Sequence, residues 1–447
     1  MSELYLYDDA KARTFEPFAL TRPVGSLTAG ASPIWTRWRT ALQCGLAVCV
    51  GAPHLDGFDD GFTRGTGTAP RMAGGVIPAD SVIANARFAP ALEIVALRDI
   101  DPSGPACRDL SLDPAIGIWR AGDRIAAVRT ASEMRVEELR DGVPGLERLA
   151  SRGAKEESIR GWWIDEIWDL IRLLPEMLGD DLRQFARGPS GRGWSPKAFA
   201  GPPSHATVVG EYPVLLGIQI EDRDGVTTFP APVIEPHVVL DATAGPIVIM
   251  HGAHVHAFTR LTGPCRIGDG TTVLGGELTT CSIGPVCKVR GEMSNTIMLG
   301  FANKGHDGFV GHSVLGRWTN LGAGTITSNL KNTYGSVALW TPEGIRDTGM
   351  QFLGTLFGDH AKTGIGTRLT TGTVLGAGAN VYGSAMPPKA VPPFGWGERP
   401  PYDVFRIDKF LAVAERVMAR RKVSLTDDAR RQLAAAYAAR WRVETEP

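Results

Sequence analysis

An aliphatic residue followed by glycine recurs every six positions along the second half of this chain, and few folds accept that rhythm. Ile267-Gly268-Asp269-Gly270-Thr271-Thr272 leads into Val273, and Ile283-Gly284-Pro285-Val286-Cys287-Lys288 leads into Val289. Ile365-Gly366-Thr367-Arg368-Leu369-Thr370 and Leu375-Gly376-Ala377-Gly378-Ala379-Asn380-Val381 carry the same beat. Such hexapeptides predict a parallel β-helix: each short strand turns one aliphatic side chain inward, and a small residue lets the chain corner tightly. Glycine makes up 54 of 447 residues, about 12% where about 7% is ordinary, and it is densest between roughly 245 and 385. A loop-rich β-sandwich competes with this reading, but it needs longer alternating strands than the chain offers. The beat falters at 291–312 and 326–353, where loops are expected to leave the coils, and loops are where a solenoid carries function.

The first half follows different rules. Leu4–Tyr7 and Ala47–Val50 read as short buried strands, and Ile34–Leu42 and Glu133–Leu139 as helices, an alternation of the α/β kind. Over 162–185 the spacing of Ile164, Ile167, Trp168, Ile171 and Leu174 predicts an amphipathic helix, which Pro175 should end or kink, with Leu178, Leu182 and Phe185 continuing a second segment. The run 188–193 reads as a linker. After the repeats, prolines from Pro387 to Pro401 stiffen an exit segment. A helix is expected near 404–421, and another after Thr426, a candidate N-cap, continuing to about 442. The organisation is therefore 1–195, 196–386 and 387–447, the last a helical tail suited to capping or docking.

Charge and cysteine usage exclude several classes. A net charge of −1 offers no basic field for nucleic acid or an anionic membrane. No apolar run approaches the roughly 18 residues of a membrane span, and the N-terminus lacks the basic and apolar regions of a signal peptide. Cys44, Cys49, Cys107, Cys265, Cys281 and Cys287 form no CxxC pair and no secreted disulfide pattern. A soluble, reduced, cytoplasmic protein is expected, with Cys265, Cys281 and Cys287 filling the solenoid as small apolar residues.

Within the repeats stands Asn303-Lys304-Gly305-His306-Asp307-Gly308-Phe309-Val310-Gly311, followed by Asn320-Leu321-Gly322-Ala323-Gly324-Thr325-Ile326-Thr327-Ser328-Asn329. A histidine on an irregular loop between glycines suits general-base work near neutral pH, such as removing the proton of a sugar amine or hydroxyl that attacks a thioester. These segments, with Gly358-Asp359-His360-Ala361-Lys362-Thr363-Gly364-Ile365, closely resemble one family. It is the bifunctional N-acetylglucosamine-1-phosphate uridylyltransferase/glucosamine-1-phosphate acetyltransferase family, in a divergent branch joining a sugar nucleotidyltransferase domain to a hexapeptide-repeat acyltransferase domain. The likeness is strong over 240–397 and weaker before 200.

The resemblance implies an α/β nucleotidyltransferase-like N-terminal domain followed by a left-handed parallel β-helix, assembled as a homotrimer with acetyl-CoA in a groove between subunits. His306 matches the family's catalytic base, and Asn320 a residue contacting the sugar near the reacting group. Gly322, Ala323, Asn329, Ile365 and Gly383 fall where the family binds the coenzyme, and backbone N–H groups there are candidates for holding the oxyanion. Two positions depart: the family's substrate-binding lysine is Ser294, and its substrate-binding tyrosine is Phe309. Lys304 and Lys331 are alternative partners for a phosphate. The acceptor is then a sugar or sugar phosphate that need not be glucosamine-1-phosphate.

In the first half, Thr21-Arg22-Pro23 stands where sugar nucleotidyltransferases carry a glycine-rich phosphate loop, and only Arg22 resembles it. Asn85 and Arg87 lie in another segment shared with the branch. If this half is active on a nucleoside triphosphate it needs Mg2+, for which Asp8, Asp9 and Asp80 are candidates by type. His251, His254 and His256 cluster too; strand alternation puts His254 and His256 on one face, but no further ligand is evident and no metal site is assigned. Three functions stay open: acetyl transfer, sugar-1-phosphate nucleotidyl transfer, or non-catalytic binding of nucleotides or sugars by a trimer.

Overall fold

The computed structural model describes residues 3–42, 47–59, 70–92, 116–151, 153–187, 199–217 and 230–441. Its first part is built on a mixed seven-stranded sheet ordered Lys155–Ser158, Ile116–Ala121, Arg124–Arg129, Val82–Asn85, Leu4–Tyr7, Ala47–Val50, Arg71–Met72. Leu4–Tyr7 runs parallel to both neighbours, with Tyr7 beside Asn85 and Val50. Strand alternation splits its side chains: Leu4 and Leu6 enter one core, Tyr5 and Tyr7 the other. Ile34–Leu42 is helical as expected and buries Ile34, Trp35, Trp38 and Leu42 on the Leu4 side.

Two expectations here need correction. The first segment of 162–185 does not begin as a helix: Gly161–Trp163 is a strand, and helices follow at Asp169–Arg172 and Leu174–Arg187, the second carrying Leu178, Leu182 and Phe185 as expected. The break falls just before Pro175, as expected, and Pro175 sits in the first turn of the second helix, where a missing N–H costs nothing. Glu133–Leu139 is a short strand, Met134–Arg135, and a 3-10 turn, Val136–Leu139. The linker at 188–193 lies outside the described residues.

The second part is a stack of short strands in parallel register: Ile247 beside Cys265, Ile297 beside Val314, Thr355 beside Thr373, Val374 beside Ala390. These ladders belong to a sheet of 10 strands, and a second sheet of 14 is stacked in the same way, as where Leu240 lies beside Leu261 and Leu321 beside Thr363, the arrangement of a β-helix. Its interior is filled by Ile247, Ile267, Val289, Leu315, Leu321, Phe357 and Leu375, with Cys265, Cys281 and Cys287 among them. Burial pushes the Cys281 and Cys287 thiols up to about 12, so they behave as apolar filler. The excursion at 326–353 is present and carries the antiparallel hairpin Ala338–Thr341/Gly344–Asp347. Over 291–312, in contrast, the strands keep regular parallel pairing. The irregular spelling there reflects a tight loop, not a departure from the coil. Pairing also continues past 386, to Ala390–Val391 and Gly395–Gly397.

Period-two alternation explains how the two parts join. Ile247, Met298, Leu315, Phe357 and Leu375 point into the solenoid, whereas Val248, Ile297, Val314, Leu356 and Val374 point out and pack into the core of the first domain. Each of these outward residues is fully buried, and each such burial contributes roughly 1.5–3 kcal/mol. The domains therefore share one hydrophobic face. The C-terminal helices, Ile407–Ala419 and Asp427–Ala439, seal the joint: Phe410 and Leu433 pack with Leu20 of the first domain and with Ala377 and Phe394 of the solenoid. Thr426 Oγ1 accepts the Ala429 N–H at 3.2 Å, capping the last helix as the sequence suggests.

The sheet's own loop hides an acid. Asp8 is buried, its carboxylate facing the Val24 N–H at 3.2 Å. Burial pushes its pKa up to about 7 despite that backbone donor. The folded chain then holds a proton that the unfolded chain, titrating near 3.9, has released. Stability from this group is full below about pH 4 and lost as the pH rises through 7. Asp8→Asn should gain stability relative to wild type between pH 5 and 8, read as a widening gap in urea midpoints; a constant gap across that range contradicts the assignment.

Candidate functional site

Three coil corners stacked on the His306 loop gather most of the residues expected to act in the solenoid. A Cβ on Gly322 would lie 2.5 Å from the Gly364 carbonyl carbon and 2.8 Å from the Ile365 nitrogen, and one on Gly364 would lie 2.9 Å from Tyr382 Cβ. Gly322–Gly324, Gly364–Gly366 and Tyr382-Gly383 thus rise as one column. At its foot the Asp307 carbonyl accepts the Gly324 N–H at 3.2 Å, which sets the His306 loop directly against the column. Gly308 belongs to that contact: its φ is +133° and a Cβ would stand 2.4 Å from the Thr325 carbonyl oxygen. His306 is exposed. So is Ile365, at 82%, an apolar side chain left in solvent above it.

Lys304 explains why the loop holds its shape. It occupies an inward rung beside Val289, in the ladder that Thr363 and Val381 continue, and is fully buried. Its ammonium donates to the carbonyls of Arg290, at 3.3 Å, and of His306. Burial pushes its pKa down to about 8. A lysine committed this way positions the His306 backbone instead of meeting a phosphate. Outside, Asp307 pairs with Arg290 Nε at 2.9 Å, an exposed pair of little energetic weight.

Asn320 stands two residues before the column, beside Asn303 and Lys362 in register, and its Oδ1 accepts the Asn303 Nδ2–H at 2.7 Å. Asn329 lies apart, beyond the strand Ile326–Thr327, hydrogen-bonded to His312 Nδ1 at 2.9 Å. Lys331 donates to the Ser336 carbonyl within the excursion. The N–H groups of Gly322, Gly324, Gly364 and Gly366 already bond neighbouring coils. A parallel ladder consumes these amides, so none of the four is a free oxyanion donor.

In the first domain, the C-terminal ends of Leu4–Tyr7 and Val82–Asn85 deliver a second group, at the strand ends where open α/β sheets bind ligands. Arg87 Nε and Nη2 grip Asp9 at 2.9 and 2.8 Å, Nη1 reaches Asp165 at 2.8 Å, and Asn85 Nδ2 donates to Asp9 at 2.9 Å. Burial would raise the Asp9 carboxyl, but Arg87 outweighs it and holds the group below its ordinary range. Arg124 also pairs with Asp165, at 2.9 Å, and lies 3.6 Å from the Trp163 ring centre. Asp9, Asn85, Arg87, Arg124 and Trp163, with Tyr7 and Glu147, line a cavity of about 180 Å³. That is below the roughly 300–1,000 Å³ of sites enclosing a whole small molecule, so it fits a fragment such as a sugar or a phosphate. The buried Tyr7 hydroxyl has no partner among the described residues. Trp163, Asp165 and Arg124 carried no sequence signal, since they arrive from distant strands.

The three acids weighed for Mg2+ do not meet. Asp9 is held by Arg87 and Asn85, Asp8 is turned onto the Val24 amide, and Asp80 precedes Val82–Asn85 at its opposite end. These carboxylates do not fit one ion. Arg22 is elsewhere again. It is 3% exposed and clamps Asp359 of the solenoid at 2.9 Å through both Nε and Nη2, with Thr21 Oγ1 on the same oxygen at 3.0 Å.

Residues 4–189 match the family model for sugar nucleotidyl transferases. The sheet and the Asp9–Asn85–Arg87 cavity thus both lie within a nucleotidyltransferase-like domain. A curated relative from Sulfurisphaera tokodaii, named as a bifunctional sugar-1-phosphate nucleotidylyltransferase/acetyltransferase, is 30% identical over 107 residues. That alignment covers 24% of this chain and 26% of the relative, so it spans about a quarter of that protein's length. No helix among the described residues is long and apolar enough to cross a membrane.

Proposed function

We propose that this chain works in nucleotide-sugar metabolism as an acyltransferase, moving acetyl from acetyl-CoA to a sugar or sugar phosphate. The observation that carries the reading is the exposed His306 at the foot of the Gly322–Ile365–Gly383 column. In the proposed reaction an acceptor hydroxyl or amine attacks the thioester carbonyl carbon while His306 takes its proton. The carbon–sulfur bond then breaks, and the CoA thiolate leaves and is protonated. Asn320 orients the acceptor, and Ile365 offers apolar cover to the coenzyme. A left-handed coil and a homotrimer, with the coenzyme between neighbouring columns, belong to this proposal.

A second reading rests on the family match and on the Tyr7 hydroxyl, which has no partner among the described residues: the first domain binds a sugar phosphate or nucleotide, with nucleotidyl transfer as its reaction. No step through Mg2+ is drawn, because the acids do not converge. A thermal-shift series on the full chain separates the two. Acetyl-CoA should raise the midpoint by mass action, and the column variant Ile365→Glu should abolish that rise while leaving any response to nucleotide sugars. No response to acetyl-CoA overturns the first reading; no response to nucleoside triphosphates, sugar phosphates or nucleotide sugars overturns the second.

A further inference from the structure

We infer that Glu235, His254 and His256 form a binding site for a single transition-metal ion of the Zn2+ class on the outer face of the solenoid's early coils. The site is independent of the acyl-transfer reading. Strand Val233–Ile234 pairs in parallel with His254–Val255, Val233 beside His254 and Ile234 beside Val255. Register therefore carries Glu235 alongside His256, while alternation keeps His254 and His256 on one face. The outcome is one ligand atom from each side chain, all within 4.8 Å of one another. Both rings converge on one oxygen: His254 Nε2 lies 2.8 Å and His256 Nδ1 3.1 Å from Glu235 Oε1. The rings stack with centres 4.1 Å apart and planes 15° from parallel. The other carboxylate oxygen accepts the Ala257 N–H at 2.9 Å, which fixes the orientation of Glu235 as outer hydrogen bonds do for metal-bound carboxylates.

Two imidazole nitrogens and one carboxylate oxygen form a donor set that favours Zn2+ and its neighbours over Mg2+ or Ca2+, which take oxygen ligands. The side chains are 32–39% exposed, which leaves room for water to complete the coordination. The ion would tie together two coils at an edge, since Val233–Ile234 pairs only with His254–Val255 among the described strands. His251 takes no part: its Nδ1 faces Asp269 at 3.3 Å.

The test uses the full chain stripped with a chelator and titrated with Zn2+, or with Co2+ as a visible-absorption probe. One equivalent of Zn2+ per chain should bind, with a cobalt band and a higher melting temperature. Glu235→Gln, which keeps an acceptor for Ala257, and His256→Ala should each weaken binding by at least about 10-fold, whereas His251→Ala should not. Wild-type protein that binds no Zn2+, or binding and thermal shift that persist equally in Glu235→Gln and His256→Ala, overturns the site.

Discussion

His306→Ala is expected to lower acetyl transfer to a sugar acceptor by about 10²–10⁴-fold, equivalent to roughly 3–5 kcal/mol of barrier. The fall should appear in kcat, with acetyl-CoA binding by thermal shift unchanged, because the column proposed to meet the coenzyme does not depend on the imidazole. Stability should move by no more than about 0.5 kcal/mol, as for other exposed positions. The ring is exposed, and the loop is held by its own backbone through Lys304 and Gly324. Steady-state kinetics beside a urea titration read both halves of this expectation. Full acetyl transfer by the variant removes His306 as the base, and loss of kcat together with a large drop in midpoint makes it structural.

The second large effect is on stability. Arg22→Ala should cost about 3–5 kcal/mol, the scale for removing one partner of a buried ion pair, because Asp359 is only 5% exposed and stays behind. Thr21 Oγ1 and the Arg317 N–H, at 3.0 and 2.8 Å, still donate to that carboxylate and set the lower end of the range. The urea midpoint should fall, and the paired change Arg22→Met with Asp359→Leu should recover part of the loss, since it leaves no bare charge in the joint. A phosphate-binding arginine behaves in the opposite way. Its alanine variant would keep the midpoint and lose affinity for a nucleoside triphosphate, and that result would return Arg22 to the ligand site.

What each level of description supplied follows from the range of the forces involved. The hexapeptide beat predicted the solenoid because coil geometry is local: an inward aliphatic residue and a small corner residue suffice for each rung. The stacking of the His306 loop with the Gly322, Ile365 and Gly383 corners was legible for the same reason, as residues a fixed number of coil positions apart must stack. Thr426 as a cap and Ile34–Leu42 as a helix are equally local. The helix expected from 162 starts only at Asp169, because apolar spacing alone does not distinguish a strand and a turn from a helical turn that buries the same side chains, whereas the break before Pro175 and the segment beyond it were legible.

Charged and polar groups whose partners lie far along the chain were decided by tertiary structure. Lys304 reads as a phosphate ligand by residue type and Arg22 by its place in the loop-like segment after the first strand, yet one sits in the solenoid interior and the other in the joint between domains. Desolvation there makes any available carbonyl or carboxylate their partner. Glu235 shows the converse, since nothing in its local sequence marks it, and only parallel register sets it beside His254 and His256. By itself, then, the sequence determined the coil, its corners and the exposed histidine. Only the folded chain decided which charges face solvent and which are consumed in holding the two domains together, because burial and long-range pairing do not exist before the chain is packed.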